Sequence, residues 1–116
     1  MKLFDSEIKV MDIVWEKGEI SAKEISNIAA EKIGWNINTT YTVITKLIKK
    51  GFLKRTEPGF ICAALISRKE AEKEATESLI DRLFGGSKKA LFSALLEDEK
   101  LSKEDIDELR EMIEKR

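Results

Sequence analysis

The segment 38–51 constrains the fold of this chain most, because its apolar residues recur at the spacing of one helical face. That face consists of Thr40, Val43, Ile44, Leu47 and Ile48. The opposite face carries an amide, hydroxyls and ammonium groups, from Asn38, Thr39, Thr42, Thr45, Lys46 and Lys49, with Tyr41 at its margin. Asn38 is expected to cap the helix, and Gly51 to end it in the left-handed conformation. Such a polar front suits phosphates and base edges, so this segment is a candidate DNA recognition helix.

The composition is that of a small soluble protein. The 116 residues allow one ordinary domain, or a small domain with an appended assembly segment. No apolar run approaches the roughly 20 residues needed to cross a bilayer, and no signal peptide opens the chain. The single cysteine, Cys62, cannot form an internal disulfide, which fits a reducing compartment. We therefore expect a cytoplasmic protein without a membrane partner.

Charge is unevenly distributed, although the net charge is only −1. Residues 1–68 contain 11 Lys and Arg against 8 Asp and Glu, whereas residues 69–116 contain 10 against 14. This asymmetry indicates a basic module joined to an acidic one. The segment 46–55 holds five cations and no acid: Lys46, Lys49, Lys50, Lys54 and Arg55. A local cluster of this kind attracts phosphate, although a solvated helix face has the same composition.

Two shorter helices are predicted before this segment. The first begins at Asp5 or Ser6 and ends at Lys17, and one of its faces carries Ile8, Met11 and Trp15, flanked by Val10 and Val14. The second spans about 22–33, opens with a capping box at residues 21–24, and presents Ala22, Ile25, Ile28 and Ala29 inward. Each helix is too short to be stable alone, so the three are expected to pack on one another.

A β-hairpin is predicted directly after the third helix. Two short runs, 52–56 and 60–65, flank Glu57-Pro58-Gly59, and proline followed by glycine fits the centre of a type II turn. Three helices followed by a hairpin is the order of a winged helix-turn-helix, in which the third helix enters the major groove. The predicted fold is therefore mostly α with a small β-hairpin, with a winged-helix DNA-binding domain at 1–67.

Residues 68–116 are expected to form three further helices and a helical dimerisation domain. The first opens with a capping box at 67–70 and runs to about Phe84, the second covers about 87–96, and Ser102 caps the third. These helices carry more apolar side chains than they can bury alone, which favours a two-fold dimer. The candidate interface residues are Leu79, Leu83, Phe84, Leu91, Leu95, Leu101, Ile106, Leu109 and Ile113. The alternative is a monomer in which these helices fold back on the N-terminal domain.

The candidate contacts to double-stranded DNA lie on the third helix and in the run after it: Asn38, Thr39, Tyr41, Thr42, Thr45, Lys46, Lys49, Lys50, Lys54 and Arg55. Asparagine can pair with adenine, and threonine methyls can meet thymine methyls, so Asn38, Thr39 and Thr42 are candidates for base readout. The cations from Lys49 onward fit phosphate contacts that position the protein. Two roles remain open for Tyr41, a hydroxyl bond to phosphate or packing against Trp35.

Catalytic and metal-binding patterns are missing from the sequence. It has no histidine, no glycine-rich phosphate loop, and a lone cysteine within an apolar run. Cys62 alone cannot build a soft metal site within one subunit, so we expect no enzyme activity, metal or cofactor, and no small-molecule ligand is evident. The alternative to DNA binding is a winged helix that serves as a protein–protein interaction module.

Three stretches resemble the penicillinase repressor family (BlaI/MecI/CopY). Residues 7–15 are similar to the first helix of that family, Trp35 with residues 38–52 to its recognition helix, and residues 101–109 to its last helix. The resemblance covers nearly the whole chain. It implies a homodimeric winged-helix transcriptional repressor that binds a palindromic operator, in a family whose members often control β-lactamase or metal-homeostasis genes.

The chain departs from the family pattern at three places. Members relieved by proteolysis carry an Asn-Phe bond where this chain has Ala94-Leu95, so the resemblance does not imply cleavage there. Copper-responsive members carry Cys-x-Cys motifs near the C-terminus, and this chain has none. The wing has Glu57 near its tip and few basic residues beyond Arg55, so we expect its contact with DNA phosphate to be weak.

Overall fold

The computed structural model describes residues 2–97 and 101–115. Within these residues six helices and three strands follow one another as α1 Asp5–Lys17, β1 Ile20–Ser21, α2 Ala22–Lys32, α3 Ile37–Lys50, β2 Leu53–Thr56, β3 Ile61–Ala64, α4 Arg68–Leu83, α5 Lys88–Glu97 and α6 Lys103–Glu114. The chain divides into two compact units, residues 1–72 and 73–116, so the division falls inside α4. None of the helices in the described ranges is long and apolar enough to span a membrane.

The first unit is a three-helix domain with a small antiparallel sheet, which confirms the predicted winged-helix fold. Helices α1, α2 and α3 pack on one another, and the sheet contacts α1 and α3. The core buries Val10, Met11, Val14, Ile25, Ala29, Ile44, Leu47, Leu53 and Cys62, among others. The sheet has the order β1-β3-β2, because Ile20 and Ser21 pair with β3 in addition to the predicted hairpin.

Two local details of the helices differ from the sequence-based expectation. The inward face of α1 is centred on Val10 and Val14, and Ile8 is 38% exposed. The N-cap of α3 is Asn36 rather than Asn38, since Asn36 Oδ1 accepts a hydrogen bond of 2.8 Å from the N–H of Thr39. Both asparagines are suitable caps, and the earlier one adds residues to the start of the helix. Gly51 ends α3 in the left-handed conformation, as predicted.

The wing turn also differs from the prediction. Residues 57–60 join β2 to β3, with a cis peptide bond between Glu57 and Pro58. Positive φ values occur at both Gly59, at 93°, and Phe60, at 50°, whereas a type II turn requires positive φ at one residue only. The Glu57 carboxylate accepts a hydrogen bond of 3.1 Å from the Phe60 N–H, which closes the turn from within.

The second unit contains the rest of α4 together with α5 and α6. Serine caps open both later helices: Ser87 Oγ accepts from the Ala90 N–H at 3.0 Å, and Ser102 forms a reciprocal capping box with Asp105. Large apolar side chains remain on its surface, among them Leu83, Phe92, Leu95, Leu96, Leu109, Met112 and Ile113. An apolar groove of about 430 Å³ runs between residues of α5 and α6.

A buried ion pair ties the start of α1 to the end of α3. The side chain of Glu7 is only 2% exposed, and its Oε1 accepts hydrogen bonds of 2.8 Å from both Lys50 Nζ and the Phe4 N–H. Lys50 Nζ also donates to the Lys2 carbonyl at 3.2 Å and lies 4.2 Å from the centroid of the Phe4 ring. Among the described residues, Glu7 Oε2 has no hydrogen-bond partner. Lys50 is therefore the main compensation for a buried charge.

We expect Lys50→Met to lower the free energy of unfolding by about 3 kcal/mol, because it leaves the Glu7 carboxylate buried without its cation, and the partly exposed Lys50 places the loss at the low end for a broken buried pair. Urea unfolding of the full chain measures this loss. Lys49→Met is the matched control, since the neighbouring lysine is exposed, and it should change the stability by less than about 0.5 kcal/mol. Equal losses in the two variants would show that the pair does not support the fold.

The same pair predicts loss of stability in acid. Burial raises the pKa of the Glu7 carboxyl. The hydrogen bonds from Lys50 and Phe4, together with the charges of Lys50 and Lys46, lower this pKa by a larger amount, so the folded-state pKa lies below the ordinary value. A lowered pKa stabilises the fold above the unfolded-state value, and this contribution disappears as the pH falls through the folded-state value. The stability difference between wild type and Glu7→Gln should therefore narrow below about pH 4.3. A difference independent of pH would contradict the assignment.

Candidate nucleic-acid interface

Helix α3 presents a continuous polar face in the structure. Its apolar side buries Thr40, Val43, Ile44 and Leu47, which leaves the opposite side on the surface. One shallow concave surface there, which we call the α3 groove, is lined by Asn38, Tyr41, Thr42, Thr45, Lys46 and Lys49. Thr39 is exposed in the first turn of the same helix. Eight of the ten predicted DNA contacts thus lie on α3, and six of them line this groove.

The hydroxyl groups of the two groove threonines donate hydrogen bonds to backbone carbonyls of α3. Thr42 Oγ1 donates to the Asn38 carbonyl at 2.8 Å, and Thr45 Oγ1 donates to the Tyr41 carbonyl at 2.8 Å. Because a hydroxyl has one proton, these groups can meet a ligand only as acceptors while the bonds persist. Their remaining chemistry is therefore to accept from a base amino group or to contact a thymine methyl.

Lys50 does not belong to this face. It was predicted to contact phosphate as part of the basic segment 46–55, but its ammonium group is held by Glu7 and the Lys2 carbonyl. Its side chain is only 21% exposed. A lysine with these partners positions the end of α3 rather than binding a ligand, so we leave it out of the proposed interface. Lys54, on β2, is exposed.

The wing contacts α3 through aromatic rings. Tyr41 packs edge-on against Phe60, with the ring centroids 5.8 Å apart and the planes at 89°, so its ring partner is Phe60 rather than Trp35. The guanidinium of Arg55 lies 3.6 Å from the centroid of the same Phe60 ring and is paired with Glu57. Phe60 was not among the predicted site residues, although an aromatic side chain beside the turn glycine is a signal for such a contact.

The predicted interface residues of the second unit are incompletely buried. Leu83, Leu95, Leu109 and Ile113 are exposed, whereas Leu79, Phe84, Leu91, Leu101 and Ile106 are half-buried. The apolar groove between α5 and α6 adds Phe92 and Leu96, which the prediction omitted even though they lie four residues apart on α5. An apolar surface of this extent is typical of a protein–protein contact.

Comparison with known proteins gives relatives along nearly the whole chain. An uncharacterized 16.5 kDa protein of Latilactobacillus sakei is 36% identical over 110 residues, which cover 93% of this chain and 75% of that protein. The penicillinase repressor of Bacillus licheniformis is 27% identical over 115 residues, covering 97% of this chain and 90% of the relative.

A solved structure and a family model agree with these relatives. The solution structure of monomeric Bacillus licheniformis BlaI in complex with the blaP half-operator has a TM-score of 0.55 and 26% identity, over 60% of this chain and 88% of that one. The model of the penicillinase repressor family matches residues 3–115. Because this match includes nearly every residue of both units, the chain belongs to the penicillinase repressor family.

Proposed function

We propose that this protein is a homodimeric transcriptional repressor that binds a palindromic operator through α3 and the wing. The α3 groove is the observation that carries the proposal, because it combines an amide, two threonines and two lysines on one exposed helix face. The half-operator complex of the BlaI relative supports the same class of partner. A DNA partner would place the protein in the cytoplasm, and catalysis has no part in this function.

Within the proposed interface, readout and positioning fall to different residues. Asn38, Thr39 and Thr42 lie toward the start of α3 and offer the groups that recognise base edges. Lys46 and Lys49, one and two turns further along, offer ammonium groups suited to phosphate. Because phosphate contacts carry no sequence information, the two sets should respond differently to mutation.

The second unit is proposed to form the dimer. Its exposed apolar side chains would be covered by the same surface of a second copy, as a two-fold interface requires. A dimer of this kind presents two α3 helices to two half-sites, which matches a palindromic operator. Ala94 and Leu95, which stand where cleavable relatives carry Asn-Phe, lie inside α5, so the proposal includes no proteolytic release at that bond.

Thr42→Ala should reduce the preference for an operator over random duplex DNA by about 1–3 kcal/mol, because it removes a base contact. The operator is first selected from a random duplex library with the wild-type protein, and affinities are then measured by fluorescence anisotropy. Thr42→Val separates the contribution of the methyl group from that of the hydroxyl oxygen, since valine retains a methyl group and loses the acceptor oxygen.

Lys49→Ala is the matched variant for a phosphate contact. It should weaken operator and random duplex by similar factors and reduce the slope of log K against log salt by about 0.9 for each subunit bound. If Thr42→Ala weakened both duplexes equally, as is expected of Lys49→Ala, the readout assignment would be wrong.

The double substitution of Leu83→Glu and Ile113→Glu should convert the dimer to a monomer, since both side chains are about 70% exposed and charges there would be desolvated by a partner. Sedimentation velocity of the full chain gives the mass. Affinity for an isolated half-site should be retained, which also shows that the first unit is folded. A dimeric variant with unchanged binding to the palindrome would contradict the proposed interface.

A further inference from the structure

The wing carries a cation that is already occupied by a carboxylate. Nε and a terminal guanidinium nitrogen of Arg55 both contact Glu57 Oε1, while Glu57 Oε2 accepts the Phe60 N–H at 3.1 Å. The hydrogen bond from Phe60, then those from Arg55 and its charge, hold the pKa of the Glu57 carboxyl below its ordinary value. The Glu57 carboxyl is therefore ionised at neutral pH, and its negative charge cancels that of the guanidinium, so the pair adds no net charge to the wing.

Phe60 fixes this pair beside the α3 groove. One of its contacts is the Arg55 guanidinium above the ring, and another is Tyr41, which lines the groove. Its backbone adopts φ 50°, which is unusual for a bulky residue, and its carbonyl accepts the Ala22 N–H at 2.9 Å at the start of α2. Phe60 is thus held to α2 by its carbonyl and to α3 by its ring, so the cation above the ring lies next to the proposed interface.

The position of the Glu57 oxygen is chemically equivalent to that of a phosphate oxygen. Arginine binds carboxylate and phosphate with the same planar set of donors. Arg55 and Glu57 are about half exposed, at 48% and 55%, so an approaching DNA backbone can compete for the guanidinium. The number of ion pairs does not change when Arg55 binds a phosphate, because each phosphate contact made by Arg55 leaves Glu57 without its partner.

We propose that Arg55, held on the Phe60 ring, is a DNA phosphate-binding site of the wing that Glu57 occupies as an internal phosphate mimic. This inference rests on the proposed function. Glu57 then lowers the affinity for DNA of any sequence, and DNA binding by the wing is limited by an acid only two residues from its own cation. The consequence for the protein is that α3 supplies a larger share of the binding than the wing.

Glu57→Gln tests the proposal, because glutamine retains the shape and an acceptor for the Phe60 N–H but releases the charge of Arg55. The probe is a labelled random-sequence duplex, titrated with the full-length protein between about 50 and 200 mM salt. We expect affinity to rise by about three- to tenfold, and the slope of log K against log salt to steepen by about 0.9 for each subunit bound, since each wing neutralises one more phosphate.

Removing Arg55 distinguishes competition from general repulsion. If Glu57 occupies the site, Arg55→Gln leaves the salt slope of the wild type nearly unchanged but lowers that of Glu57→Gln by about 0.9 for each subunit bound. Equal effects of Arg55→Gln in the two backgrounds would overturn the proposal. Glu108→Gln removes the same charge from exposed α6, and an equal gain in affinity from this control would also overturn it.

The outcome for the wild type separates this inference from the proposed function. If the wild-type protein shows no salt-dependent binding to duplex DNA, the proposed function is wrong. If the wild type binds and Glu57→Gln binds with the same affinity and the same slope, the repressor assignment stands and the internal phosphate mimic is wrong.

Discussion

The structure depends on the burial of one carboxylate, that of Glu7, whose charge is compensated across the domain by Lys50 of α3. Apolar packing alone tolerates small shifts of one helix along another, because it is not directional. A buried ion pair with backbone contacts is directional, since a displaced partner leaves an unsolvated charge. The orientation of the α3 groove therefore depends on an interaction at the C-terminal end of the helix, made by Lys50, which does not line the groove.

The cations of the segment 46–55 illustrate how one basic cluster serves different purposes. Lys46 and Lys49 line the groove. Lys50 forms the buried ion pair with Glu7, and Arg55 is paired with Glu57 within the wing. Counting charges along the sequence treats them alike and overstates the positive field available to DNA. The observed arrangement leaves two groove lysines for the proposed phosphate contacts, a small number that agrees with a chain of nearly zero net charge.

Local patterns predicted much of the fold and fewer of the contacts. Helical spacing and glycine stops located α1 and the end of α3, because these signals lie within a few residues of one another. The pairing of β1 with β3 and the bond between Glu7 and Lys50 join residues about 40 positions apart, and no local pattern encodes them. The cap of α3 was misplaced for another reason: two asparagines compete for that role, and propensity does not separate them.

An amide chemical-shift map of the full-length protein, titrated with its selected operator, shows whether the exposed face of α3 contacts DNA. We expect the largest chemical-shift changes at Thr39, Thr42 and Lys46, with smaller ones in the wing around Arg55. The exposed end of α1 and the solvent face of α6 should change little. Changes concentrated in the second unit, with α3 unaffected, would contradict DNA binding through α3 and favour a protein–protein interaction module.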